Sequence, residues 1–517
     1  MAYDYRPYPF VAPPGLRAPE PRHKVVIVGA GPIGLAMAIE LANHGVASVV
    51  LDDNNVVSVG SRAICWSKRS LEILDRLGVG EQTVTKGVTW KVGRTFHRDA
   101  EVFNFDLLPE DGHKMPAFVN LQQYYVEEYL IARAQALPLI NLRFMNEVTD
   151  VVQHGDHAEV AIKTPEGHYR LQADYLIACD GARSQVRSIL GLDFDGELFE
   201  ERFLIADIEM KADFPSERWF WFEPPFHPGQ SALLHKQPDN IYRIDLQLGW
   251  DADPELEKQP ERVIPRIEKL VGHRDFRLDW VSVYTFQCRR LRNFVQDRVI
   301  FVGDSAHIVS PFGARGGNGG LQDVDALGWR LAAVLRGTAG PQALVAYDVE
   351  RCHGADENLL NSSRSTRFMS PEDGVERLFR DAVLDLAGRA AFARPMVNSG
   401  RLSRPCVYPA TGPDDADLSP GARPGAVAPD APLAAGWMTE ALGGDFVLLA
   451  LGCDAPPVPG VRNLTPALTP LIRARYLGQA KAALYLIRPD QVVAARWQDA
   501  GAKAIMTAVT AAREGQI

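Results

Sequence analysis

Val25-Val26-Ile27-Val28-Gly29-Ala30-Gly31-Pro32-Ile33-Gly34 is the stretch that decides the fold. Four apolar β-branched residues in a row make a short strand without a polar face, the pattern of a strand buried on both sides. Glycines follow at G-x-G-x-x-G spacing. An apolar helical pattern through Leu35, Ala38, Ile39 and Leu41 then stops at His44-Gly45. A second strand, Ser48 to Leu51, ends on Asp52 and Asp53. This is a βαβ unit built to hold a dinucleotide. Gly29 permits the tight turn, Gly31 lets the backbone approach a pyrophosphate, and Gly34 lets helix and strand pack closely. Pro32 opens the helix, whose unpaired N–H groups and dipole favour phosphate charge. Asp52 can accept hydrogen bonds from a ribose diol, with Asp53 beside it.

Composition bounds the rest. With 517 residues, 46% hydrophobic and 23% charged, the chain matches globular proteins of several domains, which excludes disorder, collagen and coiled coil as the main architecture. No apolar run approaches the ~20 residues that span a bilayer, so no membrane partner is expected. The start, Met1 to Gly15, lacks a basic segment followed by an apolar core, so a cytoplasmic protein is expected. A net charge of -10 argues against nucleic acid as a partner. The six cysteines (Cys65, Cys179, Cys288, Cys352, Cys406 and Cys453) are scattered without a CxxC pair, against a disulfide framework or a metal site.

The reading along the chain gives an α/β protein. Residues 1–22 form an extended Pro-rich arm. Residues 23–190 and 290–400 form the Rossmann-like nucleotide-binding domain, with short helices and loops from about 54 to 150 and a helix from Gln123 to Ala136. Residues 191–289 turn strand-rich, through 203–210, 218–222, 231–235 and 241–248, as an inserted antiparallel sheet that binds the substrate. Pro405 to Pro432 reads as a linker or a meandering loop. The 405–517 region holds strands at 445–451, 483–487 and 492–497 and a terminal helix, a small α/β domain.

Two later motifs sharpen the cofactor. One is Tyr175-Leu-Ile-Ala-Cys-Asp180-Gly181, continuing through Arg183 and Arg187; the other is Arg298-Val-Ile-Phe-Val-Gly303-Asp304-Ser-Ala-His307. With Gly29 to Gly34, in that order, the chain resembles the class A flavoprotein aromatic hydroxylases, which include 4-hydroxybenzoate, phenol and 3-(3-hydroxyphenyl)propionate hydroxylases. The resemblance runs from about residue 24 to 400. It implies FAD as the tightly bound cofactor, with Asp52 on the adenosine ribose and Arg62 along the FAD. Gln123 matches a glutamine close to the cofactor, and Gly303-Asp304 the pair on the ribityl chain. Asp180 is linked to both flavin and nicotinamide; the alternative is a turn aspartate that bonds its own backbone.

The loop from Ser310 to Asp323 then crosses beside the flavin ring in the family, with Pro311 near its reactive edge. Gly316, Gly317 and Asn318 would turn backbone N–H groups toward the part of the ring that gains negative charge on reduction. The helix is expected to begin near Gly320. Arg315 departs from the common Gly-Gln-Gly-x-Asn variant and either forms an anion site or pairs with a carboxylate. Only one glycine fingerprint occurs in a Rossmann context, which fits the family's transient use of NADH or NADPH without a second dinucleotide domain.

On the inserted sheet, Ile241-Tyr-Arg243-Ile-Asp245-Leu-Gln247 alternates, so Arg243, Asp245 and Gln247 share one face. Either that face lines the pocket or it is solvated. Arg243 matches an arginine that touches the mobile flavin in the family. His235 and Tyr284 match positions that bind hydroxyl or carboxylate groups. A histidine there would take a phenol proton, or simply be structural. Trp219-Phe-Trp221-Phe raises the flavin-dependent halogenases as a rival on the same fold. The tail, through Leu486-Ile-Arg488-Pro-Asp490, resembles the thioredoxin-like domain of phenol hydroxylase relatives, without CxxC.

The resemblance implies NAD(P)H- and O2-dependent hydroxylation of a phenolic or related aromatic through a flavin C4a-hydroperoxide, and leaves a homodimer open. A flavin-dependent reductase or dehydrogenase on the same fold and a non-enzymatic flavoprotein redox sensor are the alternatives. Neither would consume oxygen in step with a hydroxylated product.

Overall fold

The computed structural model describes residues 3–249, 251–371, 374–397, 404–410 and 412–515. The nucleotide-binding boundary expected at residue 400 lies outside them.

The central sheet runs in the order Val295–Gln296, Val299–Phe301, Gly167–Ala178, His23–Val28, Ser48–Leu51, Ile140–Arg143. The first of these pairings is antiparallel and the other four are parallel. A parallel sheet must be covered on both faces, and Val25, Val26 and Ile27 are fully buried. The helices Pro32–Asn43, Gln123–Gln135 and Gly316–Leu335 pack around it. Gly167–Ala178 is one long strand. It also folds back on Ala158–Thr164 and Glu147–Gln153 as an antiparallel meander.

A second sheet has the order His307–Ile308, Arg277–Arg290, Asp195–Glu209, Ile241–Leu248, Ser231–Lys236, Arg218–Phe222, Val92–His97, Ala100–Asp106. Its last two strands come from the stretch read as short helices and loops. Gly93, Arg94 and the tight turn at Arg98 (φ 57°) hide their alternation in the sequence, and the pairing with Arg218–Phe222 is parallel. The two faces differ. One carries Leu204, Ala206, Leu234, Ile244 and Leu246 and is covered by Val263 and Ile267 of the Pro260–Val271 helix. The other carries Phe203, Phe222, Leu233 and Phe286 and meets Met369 and Leu384 from the helices Gln342–Met369 and Gly374–Arg389.

A three-stranded sheet of Cys65–Ser67, Phe118–Asn120 and Val88–Trp90 was not foreseen. The C-terminal sheet has the order Arg462–Leu464, Val447–Leu451, Ala483–Ile487, Val493–Trp497, the first pair parallel and the others antiparallel. Its core, with the helix Ala502–Glu514, packs on Trp329. The stretch before it is a packed meander, in which Tyr408 N–H donates to Gly425 and Gly425 N–H to Val493 (3.0 and 2.8 Å).

The N-terminal arm lies on the body. Tyr3 packs on Tyr124 (4.2 Å between ring centroids), Tyr8 stacks on Phe144 (4.7 Å), and Glu20 pairs with Arg143 (2.7 Å). No helix among the described residues is long and apolar enough to cross a membrane. All six cysteines are free.

Candidate cofactor and substrate site

The glycine turn sits at the end of His23–Val28 and does three different jobs. Gly29 has φ 104°, and a Cβ there would lie 2.5 Å from the Cys179 carbonyl oxygen. A Cβ on Gly34 would lie 1.9 Å from the Gly29 carbonyl oxygen, so helix and turn touch through bare backbone. Gly31, the N-cap of the helix that Pro32 opens, has nothing within 4 Å of its Cβ position. That open approach is what a pyrophosphate needs.

Asp52 stands beside this turn and accepts from Ala30 N–H (2.5 Å) and Asn54 N–H (2.8 Å). Burial pushes its carboxyl up to about 6. Asp53 is exposed. Asp180 accepts from Val186 N–H (3.0 Å) through one oxygen, as the turn reading expects. Its other oxygen, Oδ1, is buried with no hydrogen-bond partner among the described residues, and burial raises the carboxyl above its ordinary range. Both readings of Asp180 therefore keep a place, one per oxygen.

The Gly303-Asp304 pair forms a 3-10 turn whose glycine (φ 69°) lies against Ile33 of the first helix. Asp304 is half-buried, raised by burial, and no described residue donates a hydrogen bond to its carboxylate. A Cβ on Gly316 would lie 3.8 Å from Asp304 Oδ1, and one on Gly317 3.4 Å from the Trp66 ring. The helix starts at Gly316, four residues earlier than expected, with Gly319 N–H donating to the Arg315 carbonyl (2.7 Å) despite the low helix propensity of glycine. Asn318 is taken up by protein: its amide accepts from Ser67 N–H (3.0 Å) and donates to Cys65 O (2.8 Å). Arg315 donates to Asn358 (2.7 Å). Pro311 opens a separate 3-10 turn ahead of this helix.

Arg62, exposed and left-handed (φ 41°), belongs to a loop pinned from two sides. Gln123 Oε1 accepts from Ala63 N–H (3.2 Å), and its Nε2 donates to Ser58 Oγ (3.0 Å) and to Glu127 (2.8 Å). From the second sheet, Arg243 Nη1 donates to the Arg62 carbonyl (2.5 Å).

Arg243, Asp245 and Gln247 are 5%, 7% and 8% exposed, so their face is interior and the solvated alternative fails. Arg243 Nε donates to Asp245 Oδ1 (2.8 Å), and Gln247 bonds Ser231 N–H, Glu201 and Ser370 (2.8, 3.0 and 2.9 Å). His235 lies directly across from Arg243 and from Arg218. Its Nδ1 is 3.9 Å from Cys65 Sγ. Burial, then the charges of Arg218 and Arg243, hold its imidazole well below the ordinary histidine range. A neutral, weakly basic ring is a hydrogen-bond partner for a phenol and a poor base toward it. Tyr284 is half-buried beside Phe203 and Phe286, and its hydroxyl is pushed up to about 12 by burial and then by the charge of Asp304.

Sequence reading missed two acids. Asp207 faces Arg243 across the strands, accepts from Gln237 (3.3 Å), and is pushed up to about 6 by burial. Its signal was a charge inside the apolar run Phe203 to Met210. Asp323 is fully buried, accepts from Gly303 N–H (2.9 Å), His307 (2.7 Å) and Arg351 (2.5 Å), and so fixes the Gly303-Asp304 turn. Its signal was a carboxylate set among the apolar Leu321, Val324 and Leu327 of its helix. Trp219 and Trp221, the basis of the halogenase rival, pack on the opposite, helix-covered face of the sheet, near Phe96.

The residues present fit FAD at this site: an open Gly31, a buried oxygen on Asp180 and a carboxylate on Asp304 without a donor are what a pyrophosphate and a polyol would engage. The comparisons agree. The FAD binding domain family model matches residues 22–362. A 12-dehydrotetracycline 5-monooxygenase/anhydrotetracycline 6-monooxygenase of Streptomyces rimosus is 31% identical, over 84% of this chain and 86% of its own length. A 3-(3-hydroxy-phenyl)propionate/3-hydroxycinnamic acid hydroxylase of Mycolicibacterium smegmatis is 26% identical over 70% of this chain and 64% of its own. Among solved structures, the flavin-dependent monooxygenase PieE, in complex with FAD and substrate, shares the fold with a TM-score of 0.79, 23% identity and coverage of 96% and 99% of the two chains. With a nucleotide turn, an Asp304 turn and an interior polar row on one continuous frame, the chain belongs to the FAD-dependent aromatic monooxygenases, the class A flavin hydroxylases.

Proposed function

We propose that the enzyme hydroxylates a phenolic aromatic, single-ringed or fused, using NADH or NADPH and O2, in a pocket walled by the inner face of the second sheet. One observation carries this: the polar row meets the cofactor-side loop, where Arg243 grips the Arg62 carbonyl (2.5 Å). Beside it on the same face, Phe203, Leu233 and Phe286, packed with Met369 and Leu384, make the neighbouring wall apolar and aromatic.

FAD, held by Gly29 to Gly34, Asp52, Asp180, Asp304 and the Gly316-Gly317 helix start, supplies the redox chemistry and the activation of oxygen. The chain's own residues do the rest. Arg243 and Arg218 lend positive charge to the phenolate form of the substrate, which is the form that attacks an electrophilic oxygen. His235 and Tyr284 orient its hydroxyl. The buried aromatic wall excludes water, which protects the oxygenating species from wasteful breakdown. Pro311 bounds the ring edge.

The C-terminal sheet is read as thioredoxin-like: a parallel pair, two antiparallel additions and a closing helix support this, and without CxxC it has a packing role. Cytoplasmic residence and a homodimer complete the reading.

The test is a substrate panel. 3-(3-Hydroxyphenyl)propionate, p-nitrophenol and anhydrotetracycline are offered with NADH or NADPH, and the products are identified by mass under 18O2. Incorporation of one labelled oxygen supports the reading. Substrate reduction without oxygen consumption would turn it to the reductase, and no stimulated turnover to the sensor.

A further inference from the structure

The loop that carries Arg62 has a third support, from outside. Gly60 N–H donates to the Tyr5 hydroxyl (3.0 Å), so the N-terminal arm reaches the loop that Arg243 grips from inside. Gly60 is left-handed (φ 82°), and a Cβ there would lie 2.2 Å from the Trp280 indole, so the loop is pressed against the strand beside Asp207. On the helix side, Ser58 N–H and Oγ both donate to Glu127 (2.5 and 2.6 Å). Residues 58–63 are therefore held by helix, sheet and arm at once. Tyr5 itself is fixed by rings: Tyr3 at 4.9 Å and Tyr124 at 5.8 Å, both edge-on. Tyr3 and Tyr8 hold the arm on either side, through Glu128 (3.0 Å) and Asn55 (2.7 Å).

Two left-handed residues in one short loop, Gly60 and Arg62, make its path easy to lose. The Tyr5 hydroxyl satisfies the N–H of the buried Gly60. The Arg62 carbonyl lies only two residues on, and its position sets where the Arg243 guanidinium rests.

We propose that Tyr5 is a positioning residue for the oxygenation site: its hydroxyl holds the 58–63 loop in the path that keeps the Arg62 carbonyl on Arg243. The arm is then a working part of the site. This rests on the role given to Arg243 above.

The experiment uses the full-length holoenzyme and Tyr5→Phe, which keeps the ring contacts and removes only the acceptor. Amide exchange of a peptide spanning 58–63, read by mass spectrometry, should accelerate about tenfold, the equivalent of about 1.4 kcal/mol for one hydrogen bond. Exchange elsewhere, melting temperature and FAD content should hold. With a turned-over phenol from the panel, product per NAD(P)H should fall about threefold and H2O2 rise to match, a loss of stabilisation smaller than one full hydrogen bond. Tyr5→Phe combined with Arg243→Lys should be no worse than Arg243→Lys alone, since both act on one contact. Unchanged exchange at 58–63 overturns the proposal, as does faster exchange with unchanged coupling, or additive effects in the double variant. If the wild type turns over none of the panel, the proposed function fails instead, and the exchange result still decides whether Tyr5 holds the loop.

Discussion

Arg243→Lys tests the pocket most directly, because the structure gives the magnitude. The guanidinium uses two of its nitrogens on two targets: Nε on Asp245 Oδ1 (2.8 Å) and Nη1 on the Arg62 carbonyl (2.5 Å). These targets belong to different parts of the chain, the second sheet and the cofactor-side loop. A lysine keeps the charge but has one nitrogen at the end of a flexible stem, so it cannot span both. It should stay with Asp245, the charged partner, and let the Arg62 carbonyl go. Loss of one charge-assisted hydrogen bond in a buried setting costs about 1.5–3 kcal/mol, or roughly 10- to 150-fold in a rate that depends on it.

FAD content should stay at the wild-type level, because Gly29 to Gly34 and Asp304 lie elsewhere. The readout is substrate-stimulated flavin reduction by NADH or NADPH, followed as loss of flavin absorbance after anaerobic rapid mixing. A thermal melt run alongside separates a local effect from unfolding. An unchanged reduction rate with unchanged coupling would refute the reasoning: the bond from Arg243 to Arg62 would then be packing alone, and the pocket assignment of the polar row would fall with it.

The last two glycines of the fingerprint should part company. Gly34→Ala, with a Cβ 1.9 Å from a backbone oxygen, should fail to give folded protein, whereas Gly31→Ala, with open space, should fold and lose FAD affinity, as circular dichroism and bound-flavin absorbance would report. Asp304→Ala should weaken FAD retention through repeated desalting far more than a change at exposed Asp53. Asp207 gives a pH test. Its carboxyl titrates at about 6 when folded, against 3.8 ordinarily, so the folded state binds more protons between those values and stability falls as pH rises through that window. Asp207→Asn removes that slope, worth about 3 kcal/mol, while Asp52 still contributes its own, and urea melts at pH 4 and 7.5 read the difference.

The sequence declared its nucleotide side plainly and its substrate side poorly, for physical reasons. Val25 to Val28 and the glycines obey local rules, a strand without a polar face and a turn only glycine can make. Helix Gln123–Gln135 and strands Arg218–Phe222 and Ile241–Leu248 were legible from periodicity alone. Val92–His97 and Ala100–Asp106 were not: Gly93 and Arg94 break the alternation of the first, and the strand that ties this hairpin into the sheet, Arg218–Phe222, lies more than a hundred residues away. The burial of Arg243, Asp245 and Gln247 could not be read either. A polar row facing the interior looks the same in sequence as one facing water. His235 shows the same limit: its identity suggested a base, and only its burial, with the charges of Arg218 and Arg243 beside it, reveals that its proton affinity is depressed.

The C-terminal sheet also acquires a physical connection to the chemistry that sequence could not supply. The Gly316–Leu335 helix, whose first glycines lie near Asp304, carries charges that are buried along its length. Asp323 holds the Gly303 turn and Arg351; Asp325 takes Arg69 and Arg76; Arg330 donates to Glu350 (2.8 Å). Those partners are in turn shared with the C-terminal part. Arg488 forks onto Glu350 (2.6 and 3.0 Å), and Gln491 accepts from both Arg69 and Arg76 (2.6 and 2.7 Å). Buried ion pairs add little net stability, since desolvation offsets their attraction, but each strongly penalises any arrangement that separates its members. A network of this kind therefore fixes position more than it raises stability. The object it positions is the helix that starts beside Asp304, so a domain without a redox motif still bears on where the Gly303-Asp304 turn sits.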